Sequence, residues 1–172
     1  KSIQTIIPHL WYDTEAKEAA ELYVDLFGGK IDWNYTITDT PSGHAGLIQF
    51  QLGDMTLAAI SAGPYFKLNE SMSLMVNVAS RDDVRRLYEA LSDGGRVLMP
   101  LAEYPFSPYY VWLEDRFGLS WQLSYEPDLD VPYSFDICLL FSQDQVGLAQ
   151  PILDYYKDKL PQARLGRLSY YG

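Results

Sequence analysis

Apolar residues recur every three or four positions in two stretches of the chain, and polar residues fill the positions between them. The apolar positions are Ala16, Ala19, Ala20, Tyr23, Leu26 and Phe27 in the first stretch, and Val84, Leu87, Tyr88 and Leu91 in the second. This spacing places the apolar side chains on one face of an α-helix. Ser80 followed by Asp83 is typical of a helix N-terminus. The sequence therefore predicts two amphipathic helices that each bury one face.

Both predicted helices end on two consecutive glycines and share their neighbouring sequence. The first copy reads LYVDLFGGKI from Leu22, and the second reads LYEALSDGGRV from Leu87. A glycine after a helix readily adopts the left-handed backbone conformation that caps the C-terminus, because it has no β-carbon to clash. The similarity indicates an internal repeat, in which each copy of one supersecondary unit needs the other to bury its apolar face.

Each predicted helix is flanked by stretches with the apolar pattern of β-strands. The first copy has one such stretch before the helix and three after it: IQTIIPHLWYD, KIDWNYTITD, GLIQFQL and MTLAAISA. The second copy follows the same order with SLMVNVAS, RVLMPL, SPYYVWL and LSWQLSY. The pattern predicts an α+β domain over residues 1–126, built from two βαβββ modules at about residues 1–66 and 67–126.

The pattern starts again after Pro127. SFDICLLFS predicts a strand, QVGLAQPILDYYKDKL a helix and ARLGRLSYY another strand. Pro151 lies inside the predicted helix, where it either shortens the helix or marks its first turn. Residues 127–172 are therefore predicted to start a further, incomplete βαβ module, which belongs to a second domain or packs onto a partner chain. Because the chain begins at Lys1 without a methionine, we expect a fragment or a trimmed chain.

The composition narrows the choice of partners and compartment. The chain carries 13 basic and 23 acidic residues, a formal net charge of -10, so its average field repels nucleic acid. No apolar run reaches the roughly 20 residues of a membrane span, and the N-terminus lacks a signal-peptide pattern. The single cysteine, Cys138, excludes an internal disulfide and fits a reducing compartment. We expect a cytoplasmic protein that binds neither nucleic acid nor membranes.

Three segments carry a resemblance to a known superfamily: IIPHLWYDTEAKEAAELYVDLFGGKI, FQLGDMTLAAISAGPYFKLNESMSLMVNV and WLEDRFGLSWQLSY. With these segments the chain resembles the vicinal oxygen chelate superfamily of glyoxalases, bleomycin-resistance proteins and dioxygenases. Within it, the chain is most similar to the PhnB-like branch, often labelled 3-demethylubiquinone methyltransferase-like. The resemblance covers about residues 3–126 and implies paired modules that form a curved mixed sheet around a cavity. Residues beyond it are similar to the opening of a further module in two-domain members.

Metal-using members of the superfamily take four inward ligands, typically His, Glu, His or Gln, and Glu, from the first and last strands of the two modules. At the matching places of this chain, counting back from the helix puts Pro8 inward and turns His9 to the other face. The strand MTLAAISA has no acid, Ser73 stands at the third place and Gln122 at the fourth. Without a carboxylate, a divalent cation gains too little to offset its dehydration. The prediction is therefore no metal and no other cofactor.

Strand alternation predicts which side chains line the cavity. If Gln122 faces it, the neighbouring serines of the last strand share its side, and alternate residues of SLMVNVAS line the adjacent wall. Aromatic residues, 15% of the chain, are expected at the rim. The predicted site residues are Gln122, Ser73, Asn77, Met75, Ser120, Ser124, His9, Trp11, Tyr65, Phe66, Tyr109 and Trp112. A polar floor with aromatic rims suits a small planar, apolar or cationic ligand.

Other chemistry has little support in the sequence. There is no GxSxG motif, no phosphate loop and no dinucleotide fingerprint, and nothing resembles the nucleotide site of a methyltransferase. His44 lies in a predicted loop, and Cys138 is expected to be an inert thiol in an apolar strand. The link SAGPYFKLNESMS is either a lid, through Tyr65, Phe66 and Asn69, or a surface linker. No catalytic residue is predicted.

Three functions stay open at this point. The first is a protein that binds a small aromatic or hydrophobic molecule without a metal, as a homodimer or by pairing through residues 127–172. The second is a metal-dependent lyase, isomerase or dioxygenase of the same superfamily, with His9 and Gln122 among unusual ligands. The third is an interaction module whose cavity is filled by its own side chains. The lost ligand positions argue against an enzyme and favour the first function.

Overall fold

The computed structural model describes residue 4, residues 6–41 and residues 43–160, except for the side chain of Gln143. The first module consists of β1 (His9–Tyr12), α1 (Ala16–Phe27), β2 (Lys30–Thr40), β3 (Gly43–Leu52) and β4 (Met55–Ser61). The second module consists of β5 (Met72–Val78), α2 (Arg81–Ser92), β6 (Arg96–Tyr104), β7 (Ser107–Glu114) and β8 (Ser120–Tyr125). The predicted α+β class and the order of its elements are confirmed.

The strands form two mixed sheets rather than one continuous sheet. Sheet A contains the first module in the order β1-β4-β3-β2. Sheet B has the order β6-β7-β8-β5-β9, in which β9 is Tyr133–Leu139. The first strand of each module runs parallel to the last, β1 with β4 and β5 with β8, and the hairpin partners are antiparallel. The repeat in the sequence is thus a repeat of strand order and direction.

The paired glycines after each helix have two separate roles. Gly28 and Gly94 have φ angles of 66° and 72°, a left-handed conformation that glycine adopts at no steric cost. Gly29 and Gly95 lie against the backbone of a neighbouring strand, where a β-carbon would be 2.2 Å from a carbonyl oxygen. The predicted left-handed cap is found at Gly28, whereas α2 has Asp93 at its cap and the left-handed Gly94 follows it. The close approach explains why a further glycine comes next in both modules.

The helices begin and end close to their predicted positions. The Ser80 hydroxyl accepts a hydrogen bond from the backbone N–H of Asp83 at 3.4 Å, which confirms the predicted N-terminus of α2. α1 and α2 contain 12 residues each. No helix within residues 6–41 and 43–160 is both long and apolar enough to cross a membrane.

One hydrophobic core joins the two modules, and α1 contacts both sheets within it. Tyr23 of α1 packs edge-on against Trp121 of sheet B, with ring centroids 5.0 Å apart, and lies 6.3 Å from Phe50 of sheet A. Phe27 stacks on Trp121 at 5.3 Å and meets Phe135 of β9 edge-on at 5.2 Å. The helix-facing sides of both sheets therefore meet in one core, so the other side of each sheet is turned away from it.

A buried carboxylate, Asp115 in the turn after β7, links the modules by hydrogen bonds. One of its oxygens accepts from the Tyr23 hydroxyl at 2.6 Å and from the Trp121 indole N–H at 2.9 Å. Its other oxygen accepts from the backbone N–H groups of Phe117 and Leu119, at 2.9 and 3.0 Å. Burial raises the pKa of the Asp115 carboxyl, and these four hydrogen bonds act in the opposite direction. The saturated bonding indicates a structural role.

Residues after the second module add a fifth strand to sheet B. β9 pairs antiparallel with β5, from Met72 opposite Leu139 to Val78 opposite Tyr133. A 3₁₀ turn at Gln143–Gln145 and a helix, α3 (Ala149–Lys159), follow it. Pro151 is the third residue of α3, so it lies in the first turn. The strand predicted over ARLGRLSYY lies outside the described residues, and the further module stays a prediction.

Candidate ligand-binding face

Sheet B has one side that does not face the helices. The core residues of its central strands are Leu74, Val76 and Val78 in β5 and Trp121 and Leu123 in β8. Because successive side chains alternate across a strand, the residues between them point to the other side. We call this side the open face of sheet B. It carries Ser73, Met75 and Asn77 of β5, Ser120, Gln122 and Ser124 of β8, and Tyr110 and Trp112 of β7.

Two serines and a tryptophan form one end of a polar floor on this face. The hydroxyl oxygens of Ser73 and Ser120 are 2.8 Å apart, and the Trp112 indole N–H donates to Ser120 at 2.8 Å. Both serines are almost fully buried, with exposed fractions of 1% and 0%. Burial at this level requires the hydroxyls to be bonded, and the three side chains satisfy one another. The arrangement fixes the orientation of the Trp112 ring.

Gln122 occupies the middle of the same floor. The Tyr110 hydroxyl donates to its amide oxygen at 2.5 Å. Further along, the hydroxyls of Ser107 and Ser124 are 2.8 Å apart. Throughout the described part of the chain, every buried side-chain nitrogen and oxygen has a hydrogen-bond partner. The floor is therefore pre-organised, and all of these groups are neutral.

β9 extends this face beyond the second module. Cys138 lies opposite Ser73, and Asp136 lies opposite Met75. Directly opposite residues of neighbouring strands share one face of a sheet, so both belong to the open face of sheet B. The Gln122 side chain, two strands away, acts on the Cys138 thiol and lowers its pKa. The polar floor thus crosses four strands, from β7 to β9.

Both of these β9 side chains are shifted toward their neutral forms. Burial raises the pKa of the Cys138 thiol, and the hydrogen bond to Gln122 only partly offsets it. A reactive cysteine has a lowered pKa, so the structure agrees with the prediction of an inert thiol. Burial, and next the charge of Asp54 in the β3–β4 turn, raises the pKa of the Asp136 carboxyl.

The corresponding open face of sheet A has a different character. Leu47, Ile60 and Tyr35 lie side by side on β3, β4 and β2. Tyr35 and the nearby Ile37 are 62% and 43% exposed. Trp33 packs against Tyr35 with ring centroids 5.2 Å apart. This face is therefore apolar around Tyr35, Leu47 and Ile60 and polar at its other end, where Gln49 and Gln51 donate to Asp32. The middle of the sheet B face, in contrast, is polar.

His9 and the inter-module link also lie at sheet A. Leu10 and Tyr12 are buried in the core, so alternation puts His9 on the open face together with Trp11, contrary to the expectation that it turns to the other side. The exposed Phe66 ring meets Trp11 edge-on at 4.9 Å. Trp11 also donates its indole N–H to the Gly63 carbonyl at 2.9 Å. The link therefore packs beside β1.

The structure divides the predicted site residues into three groups. Gln122, Ser73, Asn77, Met75, Ser120, Ser124 and Trp112 share the open face of sheet B. His9 and Trp11 lie on that of sheet A, with Phe66 against Trp11, and Tyr65 is 67% exposed in the same link. Tyr109 is on the helix-facing side of β7, where the Arg81 guanidinium lies 5.0 Å from its ring centroid.

Sequence reasoning missed four members of the polar floor: Tyr110, Ser107, Asp136 and Cys138. Tyr110 shares the strand and the alternation of Trp112, so the pattern of β7 could have identified it, whereas Ser107 has the opposite alternation and is recognised only by its contact with Ser124. The other two depend on the pairing of β9 with β5. Nothing in the sequence of β9 names its partner strand, so this contribution needed the structure.

The ligand positions of metal-using superfamily members do not match this chain. On the open faces, β1 offers His9, β5 offers Ser73 and β8 offers Gln122, whose oxygen already accepts from Tyr110. Open-face positions of β4 carry neither a carboxylate nor an imidazole. Divalent cations bind through anionic oxygens, imidazoles or thiolates, so these residues do not fit a resident metal. Within the described ranges, no three His, Cys, Asp or Glu side chains are grouped as a metal site.

A separate cleft of about 580 Å³ lies between the first module and the segment that begins β9. It is bordered by the C-terminal end of α1, the β3–β4 turn and the start of β9, and Phe27, Asp54 and Tyr133 are among its lining residues. None of the twelve predicted site residues lines it. Its lining and the predicted residues are therefore separate sets, and Ser134 of the lining lies opposite Asn77 of β5.

Comparison with known proteins places the chain among relatives of the same length as its two modules. A family model described as 3-demethylubiquinone-9 3-methyltransferase matches residues 4–124. The PhnB protein of Bacillus cereus, which carries the same description, is 28% identical over 72% of this chain and 100% of its own, with a TM-score of 0.66. Protein PA1353 of Pseudomonas aeruginosa is 28% identical over 73% of this chain and 98% of its own, with a TM-score of 0.63.

A more distant similarity extends past the second module. Glyoxalase I of Zea mays is 14% identical over 90% of this chain and 54% of its own, with a TM-score of 0.58. At this identity the likeness shows a shared fold only. No curated protein matches the chain.

Proposed function

Because the chain belongs to the PhnB-like 3-demethylubiquinone-9 3-methyltransferase family and has a glyoxalase-like fold, we propose that it binds a small aromatic or hydrophobic molecule on the open face of sheet B, without a metal ion. The observation that carries the proposal is the connected polar floor around Gln122. The family description names an enzyme activity, but one fold carries many functions. Membership alone therefore does not give this chain that activity.

The chemistry of the floor supports a ligand of this class. Pre-organised neutral groups orient a ligand with little cost, because they do not have to rearrange on binding. The half-exposed Trp112 ring provides a face on which a planar molecule stacks, and Met75 adds a flexible, polarisable contact. Small-molecule sites combine such apolar surface with a few fixed polar groups.

A second copy of the chain is the proposed cover for this site in the cytoplasm. Ser73, Ser120 and Gln122 are buried within one chain, whereas Met75, Asn77 and Trp112 of the same face are half-exposed, and a second chain would cover these three. Sheet A exposes the large side chains Tyr35 and Ile37, at 62% and 43%, and exposed apolar patches of this kind mark interaction surfaces. Light scattering across a concentration series tests the dimer. A concentration-independent monomer contradicts it, and Tyr35→Glu should shift a dimer toward monomer.

A thermal-shift screen of neutral and cationic aromatic compounds tests the binding function. A ligand of the native state raises the melting temperature by mass action, and we expect the rise to persist in the presence of a chelator. Loss of the rise in chelator, or a rise caused by Ni, Zn, Mn or Fe alone, favours the metal-dependent alternative. Stoichiometric metal in the purified protein would also contradict the proposal.

Variants locate the site. Gln122→Met keeps the length of the side chain but removes its hydrogen bonds, and Asn77→Ala shortens a half-buried neighbour on the same face. We expect each to weaken binding about ten-fold, the equivalent of one or two lost hydrogen bonds. The matched control is Gln150→Met on α3, which is exposed and should bind as the wild type does. Wild-type affinity in both open-face variants would contradict the site.

A further inference from the structure

We propose that β9 makes the open face of sheet B selective for organic cations, and that Asp136 is the residue that recognises the positive charge. The inference rests on the proposed function and deepens it, because it names the chemical class of the ligand. β9 lies outside residues 4–124, the part of the chain that the family model matches. The proposed selectivity therefore depends on a strand that the family model does not cover.

The strand register places Asp136 at one end of a row of ligand-facing side chains. Asp136 is opposite Met75, Met75 is opposite Gln122, and Gln122 is opposite Trp112. Neighbouring strands are about 4.8 Å apart, so the β9 and β7 backbones at the two ends of the row are separated by about 14 Å. A ligand that spans the row has one end at a carboxylate and the other at an indole ring, with an amide and a thioether between them.

The charges around Asp136 leave its carboxylate available to a ligand. No lysine, arginine or histidine in the described part of the chain forms an ion pair with it. The charge that raises the pKa of Asp136, after burial, is that of Asp54, which is also negative. On the far side of the face, Arg96 is paired with Glu114 at 3.0 Å. A cation bound at Asp136 therefore supplies a missing counter-charge, while an anion meets two carboxylates and a chain of net charge -10.

The other end of the row favours the same class. Aromatic rings attract cations through their faces and also stack on flat apolar groups. The Trp112 ring is held by its hydrogen bond to Ser120, so it offers a fixed surface for the apolar body of the ligand. The row therefore suits an amine or ammonium group carried on an aromatic or apolar body.

Three probes with one common body test the inference: 4-phenylbutylamine, 4-phenylbutanol and 4-phenylbutyrate, titrated calorimetrically at neutral pH. We expect affinity to fall in the order amine, alcohol, carboxylate. The amine should bind about ten-fold more tightly than the alcohol, the effect of one hydrogen bond to a charged group. Because Asp136 is exposed, added salt should reduce this preference.

Asp136→Asn assigns the preference to the residue. The variant should bind the alcohol within two-fold of wild type, and its amine-to-alcohol ratio should fall to about one, because only the charge is removed. Asp128→Asn, a change at an exposed aspartate before β9, should keep the wild-type ratio. Asp136 is exposed, so the substitution leaves the core intact.

The outcomes separate the two proposals. Equal binding of amine and alcohol by the wild type overturns the cation selectivity and leaves the proposed function standing. A preference that survives in Asp136→Asn overturns the role of Asp136. Failure of all three probes to bind overturns the binding function together with the inference.

Discussion

The two modules have similar side chains on the helix-facing side of their sheets and different side chains on the open face. Facing the helices, sheet A buries Leu10, Ile48 and Leu57, and sheet B buries Leu74 and Val76 in the same core. On the open faces, Tyr35 of sheet A is 62% exposed, whereas Ser120 of sheet B is 0% exposed and hydrogen-bonded. One side has kept the same chemistry in both copies, and the other has not.

This difference indicates where function is to be sought. A shared core restricts both copies to apolar residues of fitting volume. The open faces contribute less to that core, so they are free to carry different groups. The polar floor lies on the open face, where the side chains of the second module differ from those of the first. β9 adds Asp136 and Cys138 to this difference.

The largest effect is expected where the copies are most alike, at the second glycine of each pair. Gly29→Ala and Gly95→Ala each place a β-carbon 2.2 Å from a backbone carbonyl oxygen. The strand or the helix end must shift to relieve the overlap, so we expect each change to lower the free energy of unfolding by about 4 kcal/mol or to prevent folding. Urea unfolding followed by circular dichroism measures it.

Gly28→Ala is the matched control for this prediction. A β-carbon at Gly28 has no other atom within 4 Å, and only its φ of +66° opposes the substitution. The expected loss is about 1 to 2 kcal/mol, the cost of a left-handed alanine. If Gly29→Ala costs no more than Gly28→Ala, the close approach does not explain the second glycine.

The next largest effect is expected at the junction between the copies. Asp115→Ala leaves the Tyr23 hydroxyl, the Trp121 indole N–H and two backbone N–H groups without their acceptor. Buried donors without partners are costly, so we expect a loss of about 3 kcal/mol. The exposed Asp128 provides a control, since Asp128→Ala should change stability by less than about 0.5 kcal/mol. If the two variants lose a similar amount of stability, the hydrogen bonds of Asp115 do not stabilise the junction between the modules.

A smaller effect separates two tyrosines of the same junction. The Tyr23 hydroxyl donates to Asp115, while the Tyr12 hydroxyl is hydrogen-bonded, among the residues that the structure describes, to Tyr23 alone, at 3.1 Å. Tyr23→Phe removes a hydrogen bond to a carboxylate and should cost about 2 kcal/mol, against about 1 kcal/mol for Tyr12→Phe. Urea unfolding of the two variants and the double variant measures both values and their coupling. The reverse order would show that Tyr23 does not act through Asp115.

The sequence was sufficient for most of the fold because its signals are local. Helical spacing, the glycine pairs and strand alternation each depend on neighbouring residues, and they predicted ten elements of the two modules in the right order. The Gly29 and Gly95 contacts were not predicted, because they involve a strand that is distant along the chain. The separation into two sheets also depends on long-range pairing.

The candidate site was predictable to the same extent and for the same reason. Alternation along β5 and β8 grouped Ser73 and Gln122 on one face once the face of one residue was assumed. It failed for Tyr109, which lies on the opposite side of β7 from Trp112, because aromatic content alone does not give the side of a strand. The sequence could not place Asp136 on this face, because its position depends on the pairing of β9 with β5.

The smallest effect is a pH dependence that distinguishes β9 from the rest of sheet B. Burial, followed by the charge of Asp54, raises the folded-state pKa of Asp136 above its ordinary 3.8. Between these two pKa values the folded protein binds more protons than the unfolded chain, so the free energy of unfolding falls as the pH rises through this interval.

Asp136→Asn lacks this contribution, and the pH dependence that the other carboxyl groups cause cancels when the variant is compared with the wild type. The stability of the variant relative to wild type should therefore increase from pH 3.5 upward and then level off, as measured by urea unfolding. When Asp136→Asn is compared with its parent in an Asp54→Asn background, the increase should be smaller. The negative charge of Asp54, one of the two causes of the raised pKa of Asp136, is then absent. A relative stability that is flat or falls with pH would show that the pKa of Asp136 is not raised in the folded protein, which contradicts the combined action of burial and of Asp54 on this carboxyl.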